Sequence, residues 1–403
     1  MRNLDFTKIN TGLIGDVINE IHPLIESNKE SLIIQLLTCF GNCIGRNPYF
    51  LAGSDKHFGN LFVLLVGRSS RGRKGQSFNI IKNLFEDIDT EWTQNNLAKG
   101  LSSSEGLIYR IRDDVEIDDD SGVQINRGVI DKRLLCVESE FSSVLRQSQR
   151  DGNTLSQIIR DAWDSLKLAT LTKNSPLVVT DPMISIIGHI TIAELLKCMS
   201  QTDMQNGFSN RFIFIKAEAD KLLPDPPQMN QATKSLIVAE IKKSIEEARK
   251  IGRVEFDSDK TRQYWNDYYL SVNQVDASLV GALTSREEPQ IRRLAMIIAL
   301  FNRKESIDLD SLMFAIEIFR YSKDSLHEVY GKSTGDNFSD KILDLLNTFP
   351  EGLSRSEINN YLSRNYPKTN LDRTLNFLKM QKLADFKKNN DTGGRPQEVW
   401  FLL

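Results

Sequence analysis

Residues 61–78, LFVLLVGRSSRGRKGQSF, place a glycine-rich cationic loop directly after an unbroken apolar run. Loop amides, the N-terminus of a following helix and a lysine ammonium together attract an anion, phosphate above all. Gly67 and Gly72 have the separation of the common phosphate-binding pattern, in which Lys and Ser/Thr follow the second glycine at once. Here Arg73 intervenes before Lys74, and Gly75 stands where the hydroxyl residue belongs. Ser77 supplies a magnesium-binding hydroxyl only if the loop is reshaped. The candidate cradle is Gly67, Arg68, Ser69, Ser70, Arg71, Gly72, Arg73, Lys74, Gly75, Gln76 and Ser77. A basic turn that binds nothing is the competing reading.

Such a cradle needs a strand before it and a helix after it. Residues 61–66 read as a strand buried on both faces, and Phe78, Ile80, Ile81 and Leu84 resume a helical pattern. A second apolar run, from Arg133, ends in Glu138 and Glu140, at the strand edge where parallel sheets place ligands. A carboxylate there holds Mg²⁺ through water or orients an attacking water; ordinary surface charge is the alternative. The two lie on one side if the chain stays extended.

A third run, from Pro182, ends at Gly188-His189, so His189 either reports on a terminal phosphate or sits in a turn. A glycine turn at 206–207 delivers Arg211 to a fourth strand. Arg211 is a structural ion-pair partner or an arginine finger toward a neighbouring subunit, a role worth ~10³–10⁵ in rate. Ser102 and Glu105 fit a capping box, with a water-polarising role for Glu105 as the weaker reading. Arg286, Arg292 and Arg293 are more simply packing or surface residues than nucleotide sensors.

The chain has 403 residues, enough for two or three domains. Its net charge of −3 gives no global field toward nucleic acid, so any such binding needs a local patch or an oligomeric ring. No apolar run reaches membrane-spanning length and no signal segment opens the chain, so the expected compartment is the cytoplasm. Cys39 and Cys43 lie one helical turn apart in an apolar segment and read as packing residues. Four histidines without ligand spacing argue against zinc.

Alternating strand and helix signals predict an α/β core with a mainly parallel sheet over 61–228. A helical lead-in precedes it over 1–60, and an all-helical region follows over 229–332. An acidic insertion at 113–128 reads as an exposed hairpin or loop, 141–172 as helical, and 332–336 as a linker. Residues 337–403 read as three helices and a hairpin turning at 389–396, a winged helix-turn-helix. Arg373 and Lys379 on its third helix, with Lys387, Lys388 and Arg395 on the wing, form a modest positive face for DNA or a protein partner.

Taken in order, NLFVLLVGRSSRGRKGQS, GLSSSEGLI, DKRLLCVESEF, GNTLSQIIRDAWD, LTKNSP, ISIIGHIT, NGFSNRF and REEPQIRRLA resemble a known family. It is that of the P-loop ATPases of phage, plasmid and genomic-island replication modules, often encoded beside or fused to primase-polymerases. The likeness runs through most of 30–330. It implies a RecA-like ATPase core using ATP and Mg²⁺, with Lys74 on the phosphates, Glu138 and Glu140 as the acidic residues, His189 as sensor and Arg211 as finger. It also implies homo-oligomers, commonly rings that move along single- or double-stranded DNA, and a primase or polymerase as partner. Gly75, and Glu138-Ser139-Glu140 in place of Asp-Glu, depart from the family pattern and imply slow hydrolysis or a switch. The winged-helix reading does not depend on the family. The expected function is an ATP-dependent motor or loader on DNA, helicase-like and from a mobile element. A nucleotide-binding DNA regulator with little hydrolysis, or a defence-system ATPase, is the alternative.

Overall fold

Five segments pair into one all-parallel sheet: β1 (Phe62–Val66), β2 (Leu97–Ala98), β3 (Arg133–Glu138), β4 (Met183–Ile190) and β5 (Phe212–Lys216). Their spatial order is β5-β1-β4-β3-β2. The computed structural model describes every residue except 1–8, 69–72, 120–121, 171–175, 200–202, 204–205, 273–278, 331–336, 363–367, 381–382 and 390–396. Ser69, Ser70, Arg71, Gly72 and Arg395, the 332–336 linker and most of the 389–396 turn therefore lie outside the described residues.

All of β1 and β4 is buried. Helices cover both faces, which is why these strands are continuously apolar rather than alternating. Val63, Leu65, Leu135, Val137, Ile187 and Ile213 share a core with α1 (Gly12–Ile21), α2 (Lys29–Ile44) and α3 (Lys74–Ile88). Residues of the other parity meet α4 (Phe141–Ser148) and α5 (Leu155–Trp163), as where Phe141 packs on Phe212. A further helix, α6 (Ile192–Cys198), follows β4 directly. The helical region supplies α7 (Gln231–Ala248), α8 (Glu287–Phe301) and α9 (Leu309–Tyr330) to the first core. Lead-in, sheet and helical region thus form one compact unit, residues 1–274 with 284–329.

Helix α2 has no solvent face: every residue from Glu30 to Ile44 is buried. Gly41 permits this, since a Cβ there would lie 2.2 Å from the Gly59 carbonyl oxygen. Asn42 donates from Nδ2 to the carbonyls of Leu134 (3.1 Å) and Met183 (3.0 Å) and accepts from the Trp92 indole (2.8 Å). It thereby ties β3, β4 and the short helix Thr90–Asn95 to one side chain.

The second unit, 275–283 with 330–403, has its own core around Ile342, Leu346, Ile358, Leu375, Leu378 and Trp400. Its elements include α10 (Asn337–Thr348), β6 (Leu353–Ser354), α11 (Arg355–Tyr361), α12 (Lys368–Met380), β7 (Ala384–Asn389) and β8 (Gln397–Leu402). The strands pair antiparallel in the order β6-β8-β7, and a Ser354–Glu357 capping box starts α11.

Three local expectations are corrected. Within 141–172, Leu168–Thr170 is a strand paired with Leu177–Val179, because the helix ends at Trp163 and Ser165 takes a left-handed φ of 56°. The 1–60 lead-in, expected to be helical, ends in a hairpin, Phe50–Ala52 with Asp55–His57. The cap of helix Ser104–Arg110 is Ser103 rather than Ser102, accepting from the Gly106 amide, while Glu105 takes the Ser104 hydroxyl. The acidic insertion is a hairpin, Val115–Asp119 with Gly122–Asn126. Among the described residues no helix is long and apolar enough to cross a membrane.

Asn42→Ala leaves the buried Trp92 indole without its partner and strips a second bond from the Leu134 and Met183 carbonyls, so it is expected to cost about 2–4 kcal/mol. Urea unfolding followed by circular dichroism measures this; a loss below about 0.5 kcal/mol would show that α2 does not depend on it.

Candidate functional site

β1, β4 and β3 finish side by side, with Val66 opposite Ile190 and Gly188 opposite Glu138. Gly67 leaves β1 under tight constraint: its amide donates to the Ile190 carbonyl (3.2 Å), and a Cβ there would lie 2.1 Å from the Ala217 carbonyl oxygen. Arg73, just before α3, has a φ of 46°, left-handed and uncommon for any residue with a Cβ. α3 then begins at Lys74. A cleft of about 960 Å³ opens here, lined by Arg68, Arg73, Lys74, Gly75 and Gln76 from the loop side and by Glu140, His189 and Glu194 across from it.

Within the cleft Lys74 folds back, its ammonium donating to the carbonyls of Gly67 (2.9 Å) and Arg68 (3.4 Å). Burial lowers the pKa of that ammonium, and the Glu194 carboxylate opposes the shift. His189 is only 4% exposed and its Nε2 has no hydrogen-bond partner among the described residues. Burial, with Lys74 nearby, pulls its pKa down to about 4, so the ring is neutral at pH 7. Gln76 Oε1 is likewise buried without a partner among the described residues. Glu140 stands exposed just before α4.

Glu194 belongs to the cleft although the sequence reading passed over it. It closes a capping box with Thr191 at the start of α6 and accepts from the Ser142 hydroxyl (2.9 Å). These bonds, Thr191 foremost, hold its carboxyl below the usual range. The Thr-x-x-Glu spacing signals the cap, but only the fold turns α6 toward Lys74.

Several expected participants stand apart. Ser77 is fully buried; its hydroxyl donates to the Lys74 carbonyl (2.8 Å) and accepts from Gln35 Nε2 (2.8 Å), so it does not line the cleft. Glu138 accepts from the Leu101 amide (2.7 Å) and lines a separate cavity of about 400 Å³ with Arg110 and Cys136. Glu138 and Glu140 do not share a side, because the strand turns at 139–140 into α4 instead of staying extended.

Arg211 lies at the amino end of β5, the sheet edge opposite the cleft. It is ion-paired to Asp164, donates to the Gly207 carbonyl and is buried. Arg286 shares Asp164 at 3.5 Å, and Arg293 packs 3.8 Å from the Trp163 ring centre. Arg293 donates to the Asn60 and Trp163 carbonyls, and burial pulls its pKa down to about 9. Arg292 packs over Phe50 and donates to the Leu51 carbonyl. Arg292 and Arg293 are thus packing residues.

All four cysteines are buried free thiols, and burial pushes the Cys136 thiol up to about 12. No group of three metal-ligating side chains occurs among the described residues.

In the second unit Arg373, Lys387 and Lys388 are exposed. Lys379 is paired with Asp385 (2.8 Å) and lies over Phe386, which withdraws much of its charge from the face. Thr369, Asn370, Asn376 and Phe377 are exposed alongside Arg373 on α12, an outward face that counting cations alone missed.

No family model matches the chain, and no curated protein matches it. The functional reading therefore rests on the geometry of the cleft.

The His189 ring makes a pH prediction. Its folded pKa of about 4 lies below the ordinary value of 6.5, so the unfolded chain takes up the proton first as pH falls. The contribution is therefore fully present above pH 6.5, shrinks between pH 6.5 and 4, and levels off below that. Unfolding free energies of wild type and His189→Gln should draw apart or together by up to ~3 kcal/mol across this window. A pH-independent difference would show that the imidazole is not held neutral.

Proposed function

We propose that the cleft between the β1–α3 loop and the carboxyl edge of the sheet binds a nucleoside triphosphate, ATP in the simplest case, and hydrolyses it to drive an action on DNA. One observation carries this reading: Lys74, at the N-terminus of α3, faces the buried neutral His189, whose Nε2 lacks a partner among the described residues, across one cleft. An ammonium, a helix N-terminus and an open imidazole nitrogen suit a phosphate chain.

In this mechanism Lys74 exchanges its bonds to the Gly67 and Arg68 carbonyls for phosphate oxygens. His189, neutral, donates to the terminal phosphate through Nε2 in the tautomer with the proton there. Glu140 accepts from the attacking water and orients it in line. A magnesium ion carried by the nucleotide would neutralise developing charge; Glu140 is the carboxylate available to hold it through water, and the remaining ligands come from phosphate and solvent. Neither Ser77 nor Glu138, as hydrogen-bonded here, suits that role. Arg211 serves as a finger only toward a second copy, since its place at the opposite sheet edge keeps it from its own cleft. It would have to leave Asp164 to do so. A homo-oligomer, a ring in the fullest form, follows from that assignment.

The second unit, read as a winged helix, presents α12 and the β7–β8 hairpin to DNA. Arg373, Lys387 and Lys388 contact phosphates in this reading. Together the parts make a motor or loader. A second reading, a nucleotide-binding DNA regulator that hydrolyses little, is favoured by the burial of the Ser77 hydroxyl and the turning away of Glu138.

Lys74→Ala should weaken ATP binding by ~30–100-fold, the scale of a charge-assisted contact, with an unchanged circular dichroism spectrum. Undiminished DNA-stimulated phosphate release in that variant would sink the nucleotide assignment. Glu140→Gln should keep ATP binding and lose turnover on the order of 100-fold or more. Wild-type protein that binds ATP but releases no phosphate with any DNA would decide for the regulator.

A further inference from the structure

Arg73, the residue that interrupts the phosphate-loop pattern, is ion-paired with Glu26. Glu26 lies in the turn between α1 and α2, is only 5% exposed, and is fixed from its other oxygen by the Leu223 amide (2.8 Å). The segment holding it is the exit from β5. Ala217 donates to the Val66 carbonyl (2.8 Å), Ser27 bridges to Ala219, Asn28 donates to the Glu218 carbonyl (3.0 Å), and Asp220 donates to the Glu26 carbonyl (3.1 Å). A buried carboxylate is thus built into the wall beside the loop and presented to the cation next to Lys74. Arg73 itself keeps 46% of its side chain exposed and lines the cleft.

We propose that Glu26 is an internal stand-in for phosphate: it holds Arg73 through the ion pair seen here, and a bound triphosphate takes Arg73 from it. The proposal deepens the nucleotide reading of the cleft and rests on it. Two anions compete for one guanidinium. The triphosphate carries several charges to the single charge of Glu26, and it sits beside Lys74 as well. The backbone at Arg73 adds to the argument, because a left-handed arginine at a helix start is held there by its surroundings rather than by preference. Release of Arg73 removes the charged partner of Glu26 and leaves it to the Leu223 amide, so occupancy of the cleft is registered at the α1–α2 turn on the far side of the loop.

The test is a double-mutant cycle on ATP binding with Mg²⁺, followed by isothermal titration of the full chain. Glu26→Gln keeps an oxygen for the Leu223 amide but removes the competing charge, and it should tighten ATP about fivefold or more, the lower bound of ordinary coupling between sites. Arg73→Ala, at a half-exposed position, should weaken ATP by roughly tenfold, a contact worth about 1.4 kcal/mol. The double variant should match Arg73→Ala, with no gain left from Glu26→Gln. In wild type, ATP should also speed amide hydrogen exchange at Asp220 and Leu223. Wild type that binds ATP while Glu26→Gln binds equally or more weakly overturns the competition and leaves the nucleotide site standing. A gain that persists without Arg73 overturns it too. Wild type that binds no ATP removes the nucleotide reading and the stand-in together.

Discussion

The buried helix α2 is what the first unit is assembled around, and its polar side chains do as much as its apolar ones. From within the core, Asn42 fixes the backbones of β3 and β4, and Gln35, seven residues earlier, donates to Ser77 on α3. Each amide adds hydrogen bonds inside the core, and Asn42 receives the buried Trp92 indole, which would otherwise lack a partner at a cost of ~1–3 kcal/mol. The spacing of seven places the two on one side of α2, two turns apart. One helix therefore sets the spacing of the sheet and the seat of the loop helix together. Ser77 pays for this arrangement: the hydroxyl that a metal would use is occupied in holding α3 to α2.

The two ends of the sheet have opposite electrostatic character in how their charges are held. At the carboxyl edge, Lys74 faces the cleft bound to neutral carbonyls, and the His189 Nε2 has no partner among the described residues. At the amino edge, Arg211 and Arg286 close on Asp164 beside Trp163, and Arg293 is wholly enclosed. Buried guanidiniums are tolerated there because carbonyl oxygens and a carboxylate receive their protons and an aromatic face covers them. A site that binds transiently needs cations whose present partners can be exchanged. The Lys74 bonds to two neutral carbonyls fit that need better than the charged pairing of Arg211.

Most of the sheet was legible because four of its strands are long enough, and covered on both faces, to appear as unbroken apolar runs. β2 was not, since two residues carry no periodicity; only its pairing with β3 makes Leu97–Ala98 a strand. The same limit hid the Leu168–Thr170 hairpin, whose three-residue strands follow a helix without a strong breaker in the sequence. In the cleft, Lys74, Glu140 and His189 were named from their places at strand ends and loop. Glu194 was missed because its local signal, a capping box, is complete without any role in a cleft.

By itself the sequence determined an α/β core with a parallel sheet, the position of the cationic loop between β1 and α3, and a separate C-terminal unit of helices and antiparallel strands. These follow from local periodicity and from turn residues, which act over a few positions. Tertiary structure alone decided which polar groups meet. It turned Glu138 away from Glu140, enclosed Ser77, set Arg211 against Asp164 and brought Glu26, forty-seven residues before Arg73, onto that arginine's guanidinium. The reason is physical: a side chain's partner is chosen by burial and by hydrogen-bond need across segments far apart in the chain, and neither is written in local spacing.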